Sequence, residues 1–151
     1  MVQNRDRSGK HVELTERIIH VFYRVYNELG YGLLESVYEE AMVIVLLESS
    51  MKVMRQVPVP VWFHGRQIGD FRADLLVDEI VLLELKAVKQ LDPAHAQQTL
   101  NYLRATDIEI ALLLNFGFKP EIKRLVFDNE RKASKVNLME WIRHDRKLHN
   151  V

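Results

Sequence analysis

The 151-residue chain has no cysteine. That removes disulfides, thiolate zinc sites, iron–sulfur clusters and cysteine nucleophiles at a stroke. It also has no excess of either charge: 21 basic residues meet 21 acidic ones. A general electrostatic nucleic-acid binder usually shows a basic surplus, so that class is disfavoured. A nuclease is not, because acidic metal ligands offset basic residues in the sum. Apolar runs are short. Met42–Leu47 falls far below the length that spans a bilayer, so no membrane partner is expected. The opening MVQNRDRSGKH is polar, without the apolar stretch of a secretory leader, and a cytoplasmic location is expected. P-loop, GxGxxG and GxSxG patterns are missing too, and the six histidines are scattered.

What is present is an ordinary globular composition, 48% hydrophobic and 28% charged, in a length that suits one domain. Residues 1–12 are expected to form a flexible tail and 13–151 a single domain. Leu14, Ile18, Val21, Phe22, Val25 and Leu29 recur at helical spacing up to the Gly30-Tyr31-Gly32 breaker. A second helix is expected from Leu33 or Leu34 to about Ser50, with Glu35, Tyr38 and Met42 on one face. Val53–Phe63 reads as a strand that Pro58 and Pro60 weaken, pointing to an edge position or a break, and His64-Gly65-Arg66 as a hairpin turn. Two central strands follow, from Ile68 or Asp70 to Val77 and from about Ile80 to Val88. Asp92-Pro93 opens a helix to about Ala105, with Asp as N-cap and Pro at the first helical position. Ile108–Leu114 reads as a strand buried on both faces, Asn115–Pro120 as a loop, and Ile122–Phe127 as a last strand. Asn129–Lys135 is a polar connection ahead of a short helix over 136–148. Helices and strands in this order make an α/β (α+β) fold, a mixed sheet flanked by helices.

The chemistry gathers in the two central strands. Asp74 interrupts FRADLLV and Glu84 interrupts VLLELKAV, with Lys86 two residues on. Strand alternation puts Glu84 and Lys86 on one face, and Leu83, Leu85 and Ala87 on the other. Carboxylates on an apolar strand are costly to bury unless paired or bound to something. Two of them could hold a divalent cation with hard oxygen ligands. A two-residue turn at Asp78-Glu79 would set Asp74 opposite Leu83 and turn the two acids apart. A shared site therefore requires a three-residue turn, Asp78–Ile80, or a bulge. The alternative is the polar outer face of an antiparallel pair. Glu35 has its own plain reading as an acid favoured at a helix N-terminus. Gln98 and His95 read as exposed helix residues.

Gly32-Leu33-Leu34-Glu35-Ser36-Val37-Tyr38 resembles the signature of the GxxExxY proteins, placed in the PD-(D/E)xK nuclease superfamily. The resemblance continues through Arg55–Pro58, Phe71–Val77, Glu84–Ala87, Gln98 with Tyr102-Leu103, and Leu114–Phe116. It covers about residues 14–127. It implies a restriction-endonuclease-like αβββαβ core and a nuclease that hydrolyses phosphodiester bonds with Mg²⁺ or Mn²⁺. In it Asp74 and Glu84 are metal ligands, the Leu85 carbonyl adds an oxygen, and Glu35 is the helix carboxylate. Lys86 positions or activates the attacking water, and Gln98 is a further site residue. The expected partner is nucleic acid, DNA first, with a homodimer or a protein partner compensating for the small size. The alternative reading is a non-catalytic nucleic-acid- or protein-binding module on the same fold.

Overall fold

The computed structural model describes residues 9–149, with no side-chain description beyond His144. Its elements are α1 (Val12–Leu29), α2 (Glu35–Glu48), β1 (Val53–Phe63), β2 (Arg66–Val77), β3 (Val81–Lys86), α3 (Pro93–Ala105), β4 (Ile110–Phe116), β5 (Pro120–Val126) and α4 (Leu138–His149). The element order is the expected one. Most of the expected tail, residues 1–8, lies outside the described residues. Lys10, within it, is tied to the body: its Nζ lies 3.0 Å from Glu109 Oε2, and its carbonyl accepts from Arg124.

The strands form one sheet in chain order, β1 to β5. All neighbours are antiparallel except β3 and β4, which run parallel because α3 carries the chain back over the sheet. Both faces are covered. On one, Ile18, Phe22, Tyr38 and Met42 of the first two helices pack on Leu75, Val77, Leu83, Leu85, Leu112 and Leu114. On the other, Tyr102, Leu103, Leu138 and Ile142 pack on Val57, Val59, Leu76, Leu82 and Ala111. A sheet buried on both sides explains why β4 is apolar along its whole length. Among the described residues no helix is long and apolar enough to cross a membrane.

Local chemistry sets the boundaries. The Asp92 side chain accepts from Ala94 N–H, His95 reaches back to the Asp92 N–H, and Pro93 takes the first turn. β1, with its two prolines, is an edge strand, where missing ladder donors cost least. It turns through His64 (φ 48) and Gly65 (φ 74), both left-handed, as a tight two-residue hairpin requires.

Three expectations need correction. β4 runs to Phe116, so Asn115 is a strand residue and the loop begins at Gly117. The Asn115 side chain donates to the Val88 carbonyl, accepts the Val88 N–H and donates to Glu121. Gly117 allows the chain to close in, since a Cβ there would sit 2.3 Å from the Val88 carbonyl oxygen. Together they fix the segment that leaves β3 after Lys86. β3 itself ends at Lys86 rather than Val88. Finally, the polar connection holds a buried Lys132, whose Nζ donates to the Thr106 and Ile108 carbonyls at 2.7 and 2.8 Å. Burial pushes its ammonium down to about 8.

Candidate metal centre

The β2–β3 turn is the three-residue one the shared site requires. Val77 pairs with Val81 and Leu75 with Leu83, so Asp78, Glu79 and Ile80 make the loop. Asp78 (φ 51) and Glu79 (φ 62) are left-handed, and Ile80 N–H closes the turn on the Val77 carbonyl. Asp78 is braced by Lys52, donating its N–H to the Lys52 carbonyl and accepting the Lys52 N–H on its side chain. This register brings Asp74 level with Glu84.

At that level the two strands part. β2 continues beside β1 as a ribbon, whereas β3 continues beside β4. The backbone ladder between β2 and β3 stops at Leu75–Leu83, and the two carboxylates take its place. Glu84 Oε1 accepts the Asp74 N–H at 3.0 Å, and Asp74 Oδ2 accepts the Leu85 N–H at 2.7 Å. Each acid therefore satisfies a donor that the parting strands would orphan. Across from Asp74 on β1, Gln56 is left-handed (φ 48), and the pair Gln56–Asp74 is missing from a register that is continuous from Val53 to Val61 on either side of it. The ribbon kinks there: Ala73 packs toward α3, and Leu75 toward α1 and α2.

The kink opens a cleft of about 290 Å³ lined by Glu35, Ser36, Glu39, Gln56, Asp74 and Leu85. Glu35 begins α2 and Glu39 lies one turn later on the same side. Glu35 is placed by Tyr38, whose hydroxyl donates to the Gly30 carbonyl and accepts the Leu33 N–H while its ring stacks on Phe116, 4.2 Å between centroids. Tyr38 is thus wholly buried, whereas Glu35 opens onto the cleft. Tyr38→Phe removes both hydrogen bonds by which a buried side chain holds the exposed turn before α2. It should lower stability by about 1–3 kcal/mol in urea unfolding while leaving the secondary structure seen by circular dichroism unchanged.

Glu84 is only 5% exposed. Burial first, then repulsion from Asp74, pushes its carboxyl up to about 8. Burial also pushes Asp74 up to about 6; the Leu85 N–H opposes this, and the charges of Glu35 and Glu39 add to it. Lys86 favours the ionised form of both acids. It lies within 4 Å of no carboxylate among the described residues. The structure thus brings Glu35, Asp74 and Leu85 to one concavity, with Glu84 bonded behind Asp74. It does not draw the acids into a finished cage: among the described residues no three metal-ligating side chains are close enough to hold an ion. Gln98 does not line this cleft. It lines a second, larger groove and hydrogen-bonds Tyr102, whose hydroxyl burial and the charges of Glu84 and Asp74 push up to about 12. Glu39 and Gln56 were not expected in the site. The first has a signal, an acid four residues after Glu35; the second lies in the Arg55–Pro58 stretch of the resemblance, which gave it no role.

The donor set is chemically consistent with a hard divalent cation. It offers only oxygen, carries several negative charges in a partly desolvated cleft, and is strained by mutual repulsion that a cation would relieve. The αβββαβ core with paired acids at the point where its strands part is a restriction-endonuclease-like fold. The family model of the PD-(D/E)XK nuclease superfamily matches residues 12–125, and the chain belongs to that superfamily. Its members are in general nucleases that hydrolyse phosphodiester bonds. Searches of curated proteins and of solved structures give no match.

Proposed function

We propose that the protein is a divalent-metal-dependent nuclease of the GxxExxY branch, acting on DNA. The observation that carries this reading is the strand fork. Two acids that repel each other are held side by side in a desolvated position, beside a cleft with a third acid and a lysine close by. A fold selected for stability alone would gain by replacing them with apolar or amide side chains.

Asp74 and Glu84 would hold Mg²⁺ or Mn²⁺ with the Leu85 carbonyl, and Glu35 would complete the set from across the cleft. A bound cation supplies Lewis acidity toward the scissile phosphate and lowers the pKa of a water on it. The protein's own groups do the rest. Asp74 and Glu84 are pre-aligned by the two N–H groups that they accept. Lys86, free of ion pairs among the described residues, brings a positive charge to the phosphate and orients the attacking water. Asn115 and Gly117 hold the chain just beyond Lys86 and so keep its ammonium near the acids.

The test is a cleavage screen over single-stranded, duplex and branched DNA and over RNA, with Mg²⁺ and Mn²⁺, comparing wild type and Lys86→Ala. Metal-dependent cutting that falls about a hundredfold or more in the variant, at unchanged melting temperature, upholds the proposal. Cutting by wild type that Lys86→Ala leaves untouched removes Lys86 from the site, and no cutting of any substrate removes the activity.

A further inference from the structure

The larger groove has a volume of about 860 Å³ and lies between the β1–β2 ribbon, α3 and the segment before α4. Its walls combine two features that seldom meet in a packing defect. Aromatic rings line it: Trp62 and Phe71 from the ribbon, 46% and 41% exposed, and Tyr102 from α3. Cations line it too, with Arg104, Arg131 and Lys135 all exposed, and no acidic residue contributes to the lining. Among the described residues none of these three cations is in an ion pair. The two guanidinium groups are held over the Phe127 ring, 5.6 and 5.3 Å from its centroid. In a chain of zero net charge, an acid-free strip is a local concentration rather than an average.

We propose that this groove binds a single-stranded nucleic-acid segment, its bases stacked on Trp62 and Phe71 and its phosphates facing Arg104, Arg131 and Lys135. Rings beside cations fit a strand whose bases are open, because every base offers a π-face and every linkage a charge. Duplex DNA hides its bases and would meet the cations alone. A second copy docked face to face would set like charges against each other. Tyr102 and Gln98 line the groove at the α3 wall, and Tyr102 feels the charges of Glu84 and Asp74, so the groove adjoins the acids. The inference rests on the nuclease reading for what the bound strand is then exposed to. The binding itself does not.

The experiment is fluorescence anisotropy in EDTA, so that nothing is cut, with labelled oligothymidylate and oligouridylate of about 12 nucleotides, within the span of known single-strand grooves, and a duplex of equal length. Wild type should prefer a single strand to the duplex; the thymidylate and uridylate arms tell which kind of strand. Trp62→Ala should weaken binding by about tenfold or more. Because Trp62 also touches Trp141, a second variant guards against misfolding. Arg131→Gln with Lys135→Gln, both exposed, should reduce the slope of log affinity against log salt by about 1.4. Unchanged affinity in both variants, a preference for duplex, or a Trp62→Ala effect confined to the sedimentation coefficient overturns the proposal; the last marks a self-association face. Cleavage that survives with the groove variants unaffected sinks the groove alone. Binding through Trp62 without any cleavage sinks the nuclease alone.

Discussion

Asp74→Asn should abolish metal-dependent cleavage, by about a thousandfold or more, and leave a folded protein. The choice of Asn matters. Asp74 Oδ2 accepts the Leu85 N–H where the strand ladder has ended. Alanine would leave that donor unpaired and cost about 1–3 kcal/mol, confusing a chemical loss with a structural one. An amide oxygen keeps the bond and removes the charge. Since burial and the neighbouring acids all disfavour the carboxylate, the metal-free variant should melt no lower than wild type at pH 8. Cleavage and differential scanning fluorimetry on the same samples check both halves. Equal loss of activity and melting temperature would make Asp74 a structural residue.

The metal-free protein should lose stability as pH rises from about 5 to 9. Glu84 titrates near 4.5 when unfolded and is pushed up to about 8 in the fold. The folded state therefore holds its proton more tightly. The resulting stabilisation is fully present below about 4.5 and is gone once pH has risen through about 8. Asp74 acts in the same direction, over a lower window ending near 6. Glu40, held down by Arg55, and Glu109, whose carboxyl is lowered by the Asn129 N–H and Lys10 against its burial, act oppositely and only at acid pH. With about 1.4 kcal/mol per pKa unit and about 2–4 °C per kcal/mol in a domain of this size, the melting temperature should fall by about 10–20 °C. Glu84→Gln keeps an acceptor for the Asp74 N–H, so it should raise the melting temperature at pH 8 and flatten the profile. Saturating Mn²⁺ should stabilise wild type at pH 8 and leave this variant little changed. A wild-type profile that rises between pH 5 and 9 would refute the electrostatic picture of the fork.

Much of this was legible in the residues themselves. Asp92-Pro93 marks a helix start by its own hydrogen bonding, and the prolines of β1 mark an edge. A site shared by Asp74 and Glu84 required a three-residue turn or a bulge, and the turn is what the chain forms. What stayed hidden depended on partners far away in the chain. Nothing in the local pattern says that Gln56 adopts a left-handed backbone, yet its kink opens the cleft. Asn115 looks like a loop residue until Val88 and Glu121 supply its hydrogen bonds. Lys132 sits in a polar run, and only the carbonyls of Thr106 and Ile108 explain its burial. The groove is made from three segments that the sequence keeps far apart. Gln98 lines that groove, beside the Tyr102 that feels the charges of Asp74 and Glu84.

The most direct measurement is an anomalous difference map from crystals grown with Mn²⁺. The account predicts a peak at the mouth of the fork, within about 2.5 Å of an Asp74 oxygen, with Glu84 turned toward it and Glu35 facing it across the cleft, and no such peak in Asp74→Asn. A fully ordered fork that stays empty at saturating Mn²⁺, with both acids still bonded to the Leu85 and Asp74 N–H groups, would contradict it.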